Sequence, residues 1–337
     1  MRADRIFAYG ATAGLIGDLL LGDPRRGHPV AVFGRAAAGV ERRLWRDHRG
    51  WGALHTLVLA GGAVGGAALI TRAVRGRPAA RVVLTAAATW SVVGGTSLGR
   101  EARTIGDALA AGDIESARER LPHLCGRDPH SLDGPQIARA VVESVAENTS
   151  DAVVGALVWG ALGGVPGLVG FRAVNTLDAM VGHKSPRHRR YGWASARLDD
   201  VAGWPGARLT ALLAAAAGGR PRGAVRAWRA DAAEHPSPNA GPVEAAFAGA
   251  LGVRLGGTLA YGGRVEHRPV LNGAQGRAVE TEDIEHAVRL SRRVSALALG
   301  VCVAGRLGAG LAARRIAGRR TAATAAAGTR IAGRRHT

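Results

Sequence analysis

A chain of 337 residues is long enough for one large domain or two ordinary ones. Its formal charge of +19 rests almost wholly on arginine, because Lys184 is the single lysine and the other 44 of the 45 basic residues are Arg. Such a charge invites nucleic acid, yet no zinc-finger, homeodomain or RNA-recognition signature and no set of stacking aromatics accompanies it, so no nucleic-acid partner is expected.

Apolar residues make up 47% of the chain. They come in blocks, with Arg filling the gaps, which is the pattern of membrane spans flanked by basic loops. A span needs about 20 mostly apolar helical residues. Residues 6–22 are a borderline candidate interrupted by Asp18. Next come a turn with an Asp and a His (Gly22-Asp23-Pro24, Gly27-His28-Pro29) and a stretch, 24–50, holding seven Arg. Residues 55–71 and 82–99 are better spans, and their small residues suit close packing in lipid. The positive-inside rule places 24–50 in the cytoplasm, but Arg72, Arg75, Arg77 and Arg81 lie beyond the next span and argue the reverse. Residues 100–140 have balanced charge and a helical pattern, with an N-cap at Asp113 and a turn at Arg127-Asp128-Pro129. Cys125 and Cys302 lack metal-type spacing, so no disulfide and a reducing compartment are expected.

The stretch 151–182 consists of two apolar arms, each about a dozen residues long, meeting at Gly163-Gly164-Val165-Pro166-Gly167. Arms of about 10 to 14 residues are too short to cross, and Gly-Pro clusters break helices. A re-entrant helical hairpin is predicted, with both polar flanks on one face. Residues 209–219 form a packed or interfacial helix, and 294–313 are a further span interrupted by Arg306. The expected fold is all-α: a polytopic membrane helical bundle with a re-entrant hairpin and interfacial polar helices. It is one membrane-embedded domain over 1–313, with a basic, low-complexity tail over 314–337 that is expected to be disordered or to lie on anionic lipid.

The flanks of the hairpin carry the chemistry. In Ala-Val-Val-Glu-Ser-Val-Ala-Glu-Asn-Thr-Ser-Asp, residues Glu143, Glu147 and Asp151 follow at i, i+4 and i+8, which puts three carboxylates on one helical face. Like charges so placed repel unless a cation intervenes, and carboxylates suit Mg2+. A solvated helix face would show the same spacing, but this one runs straight into an apolar arm. Asn148 adds a donor and an acceptor. The returning arm brings Asn175, Thr176 and Asp178, followed by a donor-rich loop, Gly-His-Lys-Ser-Pro-Arg-His-Arg-Arg, with Lys184. The next helix supplies Arg197, Asp199, Asp200 and Arg208, and adjacent Asp199 and Asp200 cannot share a face. Finally, His235-Pro-Ser-Pro-Asn-Ala-Gly holds His235, Ser237 and Asn239 in a rigid turn ahead of a helix carrying Glu244. No phosphate loop, dinucleotide fingerprint or nucleophile elbow is present.

Read in order, the blocks GDPRRGHPVAVFGR, ESVAENTSD, NTLDAM, ARLDD and HPSPNAG resemble the adenosylcobinamide-phosphate synthase family of cobalamin biosynthesis, over roughly residues 4–290. The sequence departs from that pattern at Gly203-Trp204, where the family would have Asn-Trp. The resemblance implies an integral enzyme of the cell (inner) membrane with a cytoplasmic site. Such an enzyme joins a carboxylate of adenosylcobyric acid to aminopropanol or its O-phosphate, using ATP and Mg2+. On that reading Glu143, Glu147 and Asp151 hold the metal or act as base, and Asp178, Asp199 and Asp200 complete the site. Lys184, Arg197 and Arg208 bind phosphate, Asn148 and Asn175 bind substrate, and His235, Ser237 and Asn239 orient the amine, with His235 or a carboxylate accepting its proton. Membrane lipid, other membrane enzymes of cobalamin assembly and a second copy of the chain are the expected partners. A membrane sensor from a related branch would not need the full acid set. A transporter would commonly show a second, matching hairpin, and none is seen.

Overall fold

The apolar blocks fold as helices, which satisfy every backbone group within the segment where no water can. The computed structural model describes residues 1–333 except Arg25, Arg26, Arg127, Ser131, Lys184, Gly262 and Gly263, with side chains outside 259–267 and up to Ile316. Helix accounts for 78% of it. Four helical stretches are long and apolar enough to cross a membrane: Arg49–Ala73, Pro78–Ala110, Gly134–Gly182 and Glu282–Ile316. Helix α1 (Ala3–Leu21) is not among them, because it carries Asp4, Arg5 and Asp18. It lies instead along α4 (Pro78–Val92), where Gly10 faces Thr85 and Gly14 faces Thr89; a Cβ at either glycine would come within 2.5 Å of the threonine Cβ. Small residues let the two backbones approach as lipid-embedded helices do.

Helices α2 (Pro29–Leu44) and α3 (Arg49–Ala73) precede α4, and the block expected over 82–99 breaks at Val93-Gly94 before α5 (Gly95–Ala110). Helix α6 (Ile114–Arg120) starts at the predicted cap, with Asp113 accepting the Ser116 N–H at 3.0 Å. Helix α7 (Gly134–Thr149) opens with a reciprocal capping box between Asp133 and Gln136. A π-helical turn, Ser150–Val154, leads into α8 (Gly155–Leu177), and a second π-helical turn, Asp178–Gly182, leaves it.

The re-entrant hairpin is present. Gly164, at φ 65° and ψ −146°, folds α8 back on itself, a backbone conformation essentially confined to glycine. A Cβ on Gly155 would strike the Phe171 ring, one on Gly160 would strike Leu168, and one on Gly167 would strike the Trp159 carbonyl. The arms 155–163 and 165–177 therefore pack antiparallel along a glycine seam with no room for a further Cβ, and Gly134–Gly182 folds back instead of crossing straight through.

Helix α9 (Trp193–Ala217) absorbs the short helix predicted at 209–219, and α10 (Pro221–Asp231) and α11 (Ala240–Leu251) follow. An antiparallel β-hairpin, β1 (Leu255–Tyr261) and β2 (Arg264–Leu271), is an addition to the all-α expectation, its register shifted at Gly256/Gly257. Helix α12 (Glu282–Gly333) continues into the basic segment beyond residue 313, in keeping with the high helix propensity of its alanines.

Two apolar clusters result. One lies among the membrane helices, around Phe7, Leu157, Leu168, Phe171 and Phe247. The other joins α5, α6, α7, the β-hairpin and the start of α12 around Ile105, Leu121, Ile137, Leu255 and Ile284. The hairpin mouth sits where the two meet.

Candidate functional site

Asp151 and Asn175 are 24 residues apart, which is about 36 Å along an unbroken helix. In the folded chain the Asn175 Nδ2 donates to Asp151 Oδ2 at 3.4 Å. The hairpin thus brings the flank of its outgoing arm onto that of its returning arm. Asp151 lies in the electrostatic field of Asp199, Glu147, Arg172 and Asp178, and Asp178 in that of Asp200 and Glu147. Five of the predicted carboxylates, Glu147, Asp151, Asp178, Asp199 and Asp200, therefore gather at one mouth, contributed by α7, both π-helical turns and α9.

Their environments differ. Asp199 is turned inward, accepts from Asn175, and leaves Oδ1 buried without a hydrogen bond. Burial pushes its carboxyl up, Asp178 adds to this, the Asn175 hydrogen bond opposes it, and Asp200 and Glu147 push the same way. Asp200 is more open and pairs with Arg197 at 3.4 Å. The expected split between the two adjacent aspartates is what the helix delivers.

Glu143 does not join the other carboxylates. The three positions at i, i+4 and i+8 span about 12 Å of helix rise, too far for one cation to touch all three. Glu143 is 3% exposed, accepts the Gly256 N–H at 2.7 Å and lies 3.9 Å from Arg139 Nε. Arg139 in turn donates to the Thr258 carbonyl at 2.8 Å. The carboxylate therefore ties α7 to the strained start of the β-hairpin, where Gly256 and Gly257 have positive φ.

The remaining predicted residues are placed as follows. Asn148 spends its amide donors inside α7, on the Ser144 carbonyl at 2.9 Å and the Ser144 hydroxyl at 3.1 Å. Lys184 lies outside the described residues. Arg208 donates to Asn239 Oδ1 at 3.0 Å and stacks 4.7 Å over Trp204. Asn239 also donates to the Asp200 carbonyl at 2.9 Å, so it buttresses the acidic stretch of α9. The departure at Gly203 belongs to this contact, since a Cβ there would come within 2.6 Å of Asn239 Nδ2. Ser237 Oγ accepts the N–H groups of Asn239 and Ala240 and caps α11. The His235 side chain is 3% exposed; its Nδ1 accepts the Ser237 N–H, and its Nε2 stands 3.8 Å from Glu244 without a hydrogen bond. Burial pushes its imidazole below the ordinary value, and the nearby Ser237 carbonyl opposes this. A ring so enclosed braces the turn and offers no open face to an amine.

Arg172 escaped the sequence reading, and Asp23 was noted there only as part of a turn. Arg172 projects from the returning arm, donates to Asn175 Oδ1 at 3.3 Å and lies in the field of both Asp151 and Asp23. Asp23 belongs to the Gly-Asp-Pro turn, anchored where Trp90 Nε1 donates to the Gly22 carbonyl at 3.0 Å and 3.6 Å from His28. A lone Arg in an apolar arm needs a buried partner, and that was the available signal.

Among the described residues no three His, Cys, Asp or Glu side chains close into a ready-made metal shell. The carboxylates instead lie within one another's electrostatic field, with the Arg172 guanidinium beside Asp151. Clustered acids and the orphaned Asp199 Oδ1 fit a hard, partly hydrated cation such as Mg2+, which keeps several waters.

Residues 11–291 match the family model described as CobD/Cbib protein. The chain is 56% identical over 295 residues to the cobalamin biosynthesis protein CobD of Mycobacterium tuberculosis (strain ATCC 25618 / H37Rv), covering 86% of this chain and 92% of that one. It is 46% identical over 269 residues to CobD of Geobacter metallireducens, covering 75% and 83%. With CobD of Chromobacterium violaceum it shares 43% over 289 residues, covering 83% and 90%. No solved structure matches. A match of this extent, over a helical membrane bundle whose matched part holds every carboxylate of the site, means that the chain belongs to the CobD/Cbib family of cobalamin biosynthesis proteins.

Proposed function

We propose that this chain is an amide-forming ligase that joins a carboxylate of adenosylcobyric acid to aminopropanol or its O-phosphate, driven by ATP. In the balanced reaction the corrinoid carboxylate accepts the terminal phosphoryl group of ATP. The amine then displaces phosphate, and amide, ADP and inorganic phosphate are released. The observation that carries this reading is the hairpin mouth, where Asn175 bonds Asp151 among four other carboxylates. Mg2+ held by Asp151 and Asp199, with Glu147 and Asp200 at the rim, would offset the charge on the phosphoryl oxygens.

The chain's own residues do the rest. Asn175 fixes the Asp151 and Asp199 carboxylates relative to each other. Arg172 limits the repulsion among the acids from behind. Asp178, on the returning π-helical turn, is the candidate to take the amine proton. Arg197 and Arg208 border the mouth on α9, and Arg208 is held ready by Asn239 and Trp204.

The cytoplasmic face of the cell membrane is the proposed location of the mouth, because the Arg-rich stretch 24–50 and the loop after the hairpin dock together at this end. There, Arg187 and His188 both reach Glu41 at 3.1 Å.

The test is to incubate the purified full chain with adenosylcobyric acid, ATP, Mg2+ and each amine, and to weigh the corrinoid product. The expected mass gain is that of the amine less water, and it should vanish with Asp151→Asn. Full turnover by that variant would refute the site. No product with any amine would refute the reaction.

A further inference from the structure

The far end of the hairpin has its own chemistry. A cavity of about 440 Å³ lies under the tip, lined by Gly163, Gly164, Pro166, Arg72, Arg75, Arg81 and Arg306. Its apolar wall includes Phe7 and Leu84. Arg306, from α12, donates to the Ala161 and Leu162 carbonyls, so it satisfies the open carbonyl end of the first arm and sits at its negative dipole end. The guanidinium groups of Arg72, Arg75 and Arg81 have no hydrogen bond or ion pair among the described residues. Asp4, the acid on the neighbouring stretch of α1, is taken by Arg314 at 2.7 Å.

Two of these arginines stand at the ends of candidate spans, where headgroups are expected. Arg72 is in the last turn of the α3 span, and Arg81 is in the first turn of α4. The N-terminal end of α4 adds partial positive charge on the same side. Beside the cavity, Leu69 (70% exposed), Val83 (67%) and Leu162 (65%) present apolar side chains outward, as a surface bathed in acyl chains does. Three guanidinium groups without a carboxylate partner, above an apolar wall, match a phosphodiester headgroup with its chains alongside.

We propose that this cavity seats the phosphodiester headgroup of an anionic membrane lipid, clamped by Arg72, Arg75 and Arg81 against the hairpin tip. The site is independent of the carboxylate mouth and of the reaction proposed for it. It also accounts for Arg72, Arg75 and Arg81, three of the four arginines that break the positive-inside pattern. They lie on the face opposite the Arg-rich stretch 24–50 because they hold a ligand there.

The test is native mass spectrometry of the detergent-solubilised full chain, titrated with phosphatidylglycerol, phosphatidylcholine or inorganic phosphate. Phosphatidylglycerol should be retained, and the triple variant Arg72→Gln/Arg75→Gln/Arg81→Gln should weaken it about a hundredfold, at about fivefold per arginine. Arg75→Glu alone, at an exposed position whose change leaves the packing intact, should weaken it about tenfold or more. The charge-matched variant Arg222→Gln/Arg226→Gln/Arg229→Gln on α10 should retain the lipid. Equal retention of phosphatidylcholine, equal loss in the α10 variant, or unchanged binding by Arg75→Glu would each overturn the proposal. Inorganic phosphate bound as tightly as the lipid would replace it with a free-anion site.

Discussion

The two ends of one helical hairpin carry opposite charge. At the mouth, five carboxylates gather around Asn175 and a single Arg172. At the tip, about 20 Å away by the rise of a 13-residue arm, four arginines surround Gly163-Gly164 with no carboxylate among the cavity residues. The arms between are apolar and glycine-seamed, so neither group of charges neutralises the other. Each must find its own counter-charge, a cation at one end and an anion at the other, and the hairpin sets the distance between them.

The comparison is open to attack in order of expected effect. Asp151→Asn should lower amide formation at least about a hundredfold while leaving phosphatidylglycerol retention at the tip untouched; a joint loss would show that the ends are not separate. Gly164→Ala forces a Cβ into a positive-φ bend and should cost about 1–3 kcal/mol, read as a fall in melting temperature together with loss of both functions. If it melts like wild type, the hinge is not where the strain resides. Glu147→Gln should reduce turnover by about tenfold or more. Glu143→Gln should stay within about threefold of wild type, because its amide oxygen still accepts the Gly256 N–H. Reversal of that order would return Glu143 to the reacting set.

The smallest effect is expected at the loop that follows the hairpin. Burial raises the Glu41 carboxyl, but hydrogen bonds from His188 and Arg187 outweigh it and hold the group below its ordinary value of 4.5. A depressed carboxylate contributes stability that is fully present above 4.5 and is lost as pH falls through the folded value. Melting curves recorded from neutral pH downward should therefore converge for wild type and Glu41→Gln only on the acid side.

The hairpin was legible because its cause is local. Gly164 and Pro166 break a helix in any context, and arms that short cannot cross. That adjacent Asp199 and Asp200 face different ways was legible for the same reason, though not which of them turns inward. What escaped depended on distant partners. Glu143 shares the spacing of Glu147 but is claimed by the backbone of Gly256, more than a hundred residues later. Asn239 looks like a helix cap in sequence, yet its side chain bridges Arg208 and the Asp200 carbonyl, and the cap passes to Ser237. The β-hairpin, with its glycines at the first strand, gave no alternating apolar pattern to read. Arg172 looked like an interruption of an apolar arm because its partners lie on other segments.

The glycine seam has a mechanical corollary. Where Gly155 meets the Phe171 ring and Gly167 meets the Trp159 carbonyl, no room is left even for a methyl group, so the prong behaves as a stiff post. The loop that follows the returning arm is held differently, by Arg187 and His188 on Glu41. Any give needed to admit a bulky guest therefore falls to such side-chain latches, while the reacting groups keep fixed spacing.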